Sequence, residues 1–338
     1  MGGLLDADPR AFDLQDVRWG NCDRSFLAAL NAPDFVPGDA VAVDESGESD
    51  HERYLKPDDR VFGFEIAGQA YAVPRWVIFP HELLNADLGG VPVSLTFCTL
   101  CNAPILYDRR VDEETLTFGS TGMLIEGNKV MFDEETESLW SQHRGVPIAG
   151  DHLDADSTLS ILPVTQTSWA DWRAENPETL ALDIETGYDY DYRFYEGELG
   201  IFRHYWENED VIQPGVEKAE SELPEKAEVY GVTGDDPNRA HVYPVEAVAE
   251  SLITDTIDGQ EVVVLQDATG DVAVYEAPPL PVERDGEELV DSEGRRWTVE
   301  RDALRAGDDE LARVPGRHGL WFAFRSQYEE SVVVDGTR

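Results

Sequence analysis

Apolar and polar residues alternate most cleanly in Val91-Pro92-Val93-Ser94-Leu95-Thr96-Phe97-Cys98. Side chains two apart share a face of a strand, so Val91, Val93, Leu95 and Phe97 face one way and Ser94, Thr96 and Cys98 the other. Similar alternating or continuous apolar runs at 61–66 and 69–73, and near 104–110, 115–121 and 129–133, predict further strands. Their counterparts later in the chain lie at 229–233, 240–243 and 261–266, and near 271–276 and 296–300. Helix signals are few. Pro80 suits a first helical position with Glu82 in the first turn, and a second helix is expected over about 245–255. Ser168-Trp169-Ala170-Asp171-Trp172-Arg173 reads as a capped helix that stops before Pro177.

The elements fall into two similar series, each ββαβββ, which predicts an α+β fold dominated by antiparallel sheet. Val61-Phe62-Gly63 matches Val229-Tyr230-Gly231, Ala70-Tyr71 matches Ala240-His241, Pro74 matches Pro244 and Gly90 matches Gly259. Tyr107 aligns with Tyr275, and Leu139-Trp140 with Leu320-Trp321. The expected organisation is an N-terminal acidic extension (1–60), a first pseudo-repeat (61–150), a connector with a helix and a Tyr-rich loop (151–228), and a second pseudo-repeat (229–330).

Charge then modifies this picture. Seventy acidic residues against 26 basic ones give a formal net charge of −44, and lysine is confined to Lys56, Lys129, Lys218 and Lys226. Such a surface stays hydrated in concentrated salt, where screening shortens electrostatic reach to roughly 3 Å at 1 M. The charge is therefore read as salt adaptation of a halophile-like proteome. It leaves no basic patch for nucleic acid. Residues 1–60 hold fourteen acids and six bases, whereas 61–110 hold four and three, which marks the second stretch for burial. The N-terminus carries neither a basic region nor an apolar core of a signal peptide, and no run is long enough for a membrane helix, so a cytoplasmic address is expected. Three cysteines, an odd number, fit a reducing compartment.

The candidate chemistry sits in the quiet stretch. Cys98-Thr99-Leu100-Cys101-Asn102-Ala103-Pro104 has the spacing of a metal knuckle or a redox pair, with Asn102 suited to a left-handed turn position. An all-cysteine zinc site is excluded within one chain, because only Cys22 remains. His81 is the leading nitrogen ligand and His143 the second, and two thiolates with an imidazole would take copper(I) or zinc. Each of these residues also has a plain packing role as its alternative. The second series offers roughly Ser251, Gln266 and Thr269 in place of His81, Cys98 and Cys101, so it repeats the scaffold without the ligand set. Phe118-Gly119-Ser120-Thr121-Gly122 with Gly127-Asn128-Lys129 reads as strand–turn–strand, because a phosphate loop would need Gly-Lys-Ser/Thr. The acidic Tyr-rich stretch 187–195 is expected to be an ordered loop or to line a pocket.

His81-Glu82-Leu83-Leu84-Asn85-Ala86-Asp87, Val91-Pro92-Val93, Cys98-Thr99-Leu100-Cys101 and Thr136-Glu137-Ser138-Leu139-Trp140-Ser141-Gln142 together resemble a widespread bacterial and archaeal domain family of unknown function. Its members read HEIVND, then PVxVTYCPLCG, then TESLWSQ. The resemblance runs over most of 60–325, to Trp321-Phe322-Ala323-Phe324, and implies no reaction. It marks His81, Cys98, Cys101, Trp140 and Gln142 as motif residues. Thr99 and Asn102 depart from the usual Pro and Gly, and His143 stands where another residue is expected. Relatives that look exported set a second expectation for the address. The reading is a metal-binding or thiol-redox protein built on Cys98, Cys101 and His81. Its rivals are a non-catalytic binding module lined by Trp140, Trp321 and the tyrosines, and an enzyme with a cysteine nucleophile and His81 as base.

Overall fold

The computed structural model describes residues 17–19, 24, 26–43, 53–155, 157–195, 205–206, 208–209, 212, 216 and 221–336. Paired apolar runs joined by Ala67-Gly68, both at positive φ, form β1 (Arg60–Ile66) and β2 (Gln69–Pro74), which leads into the short α1 (Arg75–Ile78). An antiparallel meander follows of β3 (Leu83–Leu88), β4 (Val91–Cys98) and β5 (Ala103–Asp108). A second meander comprises β6 (Phe118–Ile125), β7 (Asn128–Asp133), β8 (Leu139–Ser141) and β9 (Val146–Ala149). The chain then returns as β10 (Thr165–Ser168) against β1, crosses through α2 (Trp169–Glu175), and adds β11 (Leu180–Leu182) parallel to β2.

The later half repeats much of this connection order. β12 (Glu228–Thr233) and β13 (Ala240–Pro244) lead through α3 (Val245–Glu250) to the meander β14 (Ile253–Ile257), β15 (Gln260–Gln266) and β16 (Val272–Glu276). A five-stranded meander over 283–312 follows. β17 (Arg317–Leu320) then pairs antiparallel to β12, α4 (Trp321–Gln327) crosses over, and β18 (Val332–Val333) lies parallel to β13. The result is antiparallel-rich α+β, as the alternation predicts.

Pattern and structure agree closely along β4. Val93, Leu95 and Phe97 enter the main core with Phe62, Phe79 and Trp172, while Cys98 on the opposite face joins a separate cluster with Cys101, Leu320 and Phe322. The capped helix is also present, with Asp171 N–H donating to Ser168 Oγ at 3.1 Å. Residues 118–133 form strand, turn and strand.

Three expectations need correction. No helix starts at Pro80: α1 ends at Ile78, a turn carries Phe79–His81, and Leu83–Leu88 is a strand. The helix over 245–255 stops at Glu250, and Ile253–Ile257 is again a strand. Leu139-Trp140 is not the counterpart of Leu320-Trp321, since Trp140 lies in β8 whereas Trp321 opens α4 and so occupies the place that Trp169 has in α2. Within the acidic extension, Leu30–Asn31 pairs with β3 and Phe35–Pro37 with β11. No described helix is long and apolar enough to cross a membrane.

Candidate functional site

The hairpin β4–β5 presents the cysteines. Cys98 pairs with Ala103, and Thr99–Asn102 make the turn, closed by Asn102 at φ +46°. The left-handed residue lets the chain reverse immediately after Cys101, so both cysteines fall within one turn, where Cα atoms stand under roughly 7 Å apart. Cys101 is fully buried and Cys98 almost so. The Cys101 thiol donates to the Cys98 carbonyl oxygen at 3.8 Å. Burial foremost, then the neighbouring Cys98, pushes the Cys101 thiol up, against an opposing hydrogen bond from Asn128. That amide, Asn128 Nδ2, donates to Cys101 Sγ at 3.0 Å.

Around the turn lies a polar frame that residue spacing did not reveal. Glu82, at φ +59°, accepts from Thr99 Oγ1 at 2.8 Å through Oε1 and pairs through Oε2 with Lys129 Nζ. Both partners are buried, Glu82 at 8% exposure and Lys129 at 3%. The backbone of Glu82 is fixed as well, by its N–H on Ile78 O and its carbonyl on Phe97 N–H, each 2.7 Å. Gln142 Nε2 donates to Thr96 Oγ1 at 2.9 Å and to Ala103 O at 3.1 Å, which fastens the hairpin to β8. From the later half, Leu320 N–H donates to Cys101 O at 2.8 Å. Lys129 is one of only four lysines in the sequence. A lysine retained in so acidic a chain was the available signal for this frame.

The remaining motif residues go elsewhere. His81 Nδ1 donates to Ala28 O at 2.7 Å, since a carbonyl can only accept. Its Nε2 then accepts from the Tyr192 hydroxyl at 2.8 Å, and that hydroxyl also contacts Thr186 Oγ1. Tyr188 and Tyr190 stand edge-on to the ring, so the Tyr-rich stretch packs around His81. Burial holds His81 below the ordinary imidazole range. Both ring nitrogens are thus engaged, and among the described residues no three His, Cys, Asp or Glu side chains gather as a metal-binding group. The set Cys98, Cys101 and His81 is therefore not brought together. Cys22 lies outside the described residues. Trp140 is a core residue whose Nε1 donates to Asp133 Oδ2 at 2.8 Å, edge-to-face with Phe118.

His143 is fully buried next to Phe324, with Nδ1 3.2 Å from the Tyr328 hydroxyl. Burial first, then Arg317 and Arg144, drives it well below the usual imidazole value. The folded chain consequently excludes a proton that the unfolded chain takes up below about pH 6.5. Stability from this group is complete above that pH and falls by at most about 1.4 kcal/mol per unit as pH drops towards the folded value. Urea unfolding between pH 7 and 5 should show a shallower loss in His143→Gln than in the native chain. Parallel profiles would refute the buried neutral imidazole.

No curated protein and no solved structure matches the chain. A family profile described as protein of unknown function, DUF3179, matches residues 29–331, which include the cysteine hairpin, its Glu82–Lys129 frame and the closing helix α4. The chain belongs to that family.

Proposed function

We propose that Cys98 and Cys101 form a dithiol–disulfide couple that exchanges electrons with disulfide substrates. The observation that carries this is the placement of two buried cysteines in one tight turn, where the Cys101 thiol folds back onto the Cys98 carbonyl oxygen at 3.8 Å. In the reaction the Cys98 thiolate attacks a substrate disulfide, giving a mixed disulfide and releasing one substrate thiolate. The Cys101 proton is lost to solvent, and its sulfur attacks Cys98 Sγ and releases the second thiolate. Two electrons pass from protein to substrate, and the two substrate thiolates take up two protons from solvent. The Cα separation within such a turn overlaps the roughly 4.4–6.8 Å that a disulfide accepts. The assignment of roles follows from the fully buried Cys101 keeping its proton, which leaves Cys98 as the attacking sulfur.

Excess oxidised glutathione should reduce the thiol count of the unfolded chain from three to one. A Cys101→Ser variant should stop at the mixed disulfide on Cys98, seen as a glutathione adduct by mass. A native chain that still titrates all three thiols would exclude the couple.

A second reading, soft-metal binding, is favoured by the Asn128 amide directed at Cys101 Sγ. Two thiolates suit copper(I) better than zinc, which takes four donors where the described residues bring two. Stoichiometric metal in protein purified without chelator, lost in Cys98→Ser, would move the assignment there.

We also infer that the chain arose by internal duplication, with the first half carrying the chemistry. In support, β10–α2–β11 stands to β1–β2 as β17–α4–β18 stands to β12–β13. The turn at 267–271, which answers to the cysteine turn, holds Asp267, Thr269 and Asp271 and no cysteine.

A further inference from the structure

A cavity of about 420 Å³ opens where the two halves meet. Arg144, Val146 and Thr158 line it from the first half, Thr233 and Arg317 from β12 and β17, and Tyr328 from the end of α4. Arg317 is 5% exposed and forms no ion pair among the described residues. Its guanidinium donates to the neutral Thr233 Oγ1 at 3.1 Å, and its Nε is left without an acceptor. Arg144 lies beside it, over the Tyr328 ring at 5.1 Å. Behind these groups the buried His143 has no partner at Nε2. Asp235, on the rim, is exposed and directs its backbone N–H to Asp258.

An unpaired guanidinium in a low-dielectric site carries a desolvation cost that nothing offsets. In a chain with 70 acidic residues, a carboxylate partner was readily available, yet among the described residues none pairs with Arg317. Elsewhere the same chain does pair its arginines: Arg325 with Glu225 and Arg193 with Asp59. The missing countercharge is therefore one that arrives with a ligand. A planar guanidinium fork beside a second arginine and a tyrosine hydroxyl matches the acceptor geometry of an oxyanion.

We propose that this cavity binds a small molecule through an oxyanion head group, a carboxylate or a phosphate, held by Arg317 and Arg144. The site is separate from the cysteine turn and stands whether or not the thiol couple does.

Calorimetric titration of the full chain with inorganic phosphate and, separately, with malonate, at a fixed high potassium chloride concentration, tests it. Saturable binding of phosphate or of malonate is expected and identifies the head group. The affinity should fall about tenfold or more in Arg317→Met, and also in Arg144→Gln, whose less buried position preserves folding. If neither anion binds saturably, or if both variants bind like the native chain, the proposal is overturned.

Discussion

Lys129→Met should destabilise the protein by about 3–5 kcal/mol, among the largest losses available to a single substitution. The change keeps the length and apolar character of the side chain and removes only the ammonium that pairs with Glu82. Glu82 would then stand buried with one oxygen satisfied by Thr99 and the other unpaired. The carboxyl must protonate or draw in water, and either route loosens the Thr99–Asn102 turn that carries Cys101. The double variant Glu82→Gln/Lys129→Met should recover most of the loss, because an amide still serves Thr99 and no charge remains buried. Chemical unfolding at neutral pH measures both. A loss under about 1 kcal/mol for Lys129→Met would mean that the pair is solvated like a surface ion pair.

The same residues explain what the sequence discloses. The alternation along Val91–Cys98 is enforced at every second residue by a core on one side, so it is legible without any partner. The turn at Asn102 is equally local, since it depends on the preference of one residue for the left-handed region. The strand Leu83–Leu88 is not local. Its Asn85 is buried because Nδ2 reaches Asn31 Oδ1 and Phe118 O while Oδ1 accepts from Phe118 N–H. A polar residue satisfied that way breaks the apolar pattern of a strand and imitates a helical one. The environment of His81 is hidden for a related reason: Ala28 and Tyr192 lie 53 and 111 residues away. Spacing drew attention to the two sulfurs because a knuckle is a local motif. It gave no hint of Glu82, Asn128 and Lys129, which converge around them only through sheet packing.

Gly231→Ala should cost about 2–3 kcal/mol, although it adds a single methyl group. A Cβ at that position would stand 2.1 Å from Phe324 Cε1, far inside contact distance, and the ring is fixed by α4, which packs on β12 and β17. Gly63→Ala should behave the same way for the corresponding reason, with its Cβ 2.3 Å from Trp172 Cε3 on α2. Glycine at these two strand positions serves the close approach of an aromatic ring; neither has positive φ. Each half thus seats its crossover helix by inserting one aromatic side chain over a strand glycine. Shortening the ring should relieve the clash: Gly231→Ala/Phe324→Leu should lose less than the sum of its two single variants, with a coupling of about 1 kcal/mol or more. Strict additivity, or an unperturbed unfolding midpoint in Gly231→Ala, would show that the ring is free to move aside. Since α4 also supplies Phe322 and Ala323 to the cover over Cys98 and Cys101, its displacement should expose the thiols. Gly231→Ala should therefore react faster than the native chain with a thiol-alkylating reagent, whereas Gly63→Ala, with its clash under α2, should leave that rate nearly unchanged.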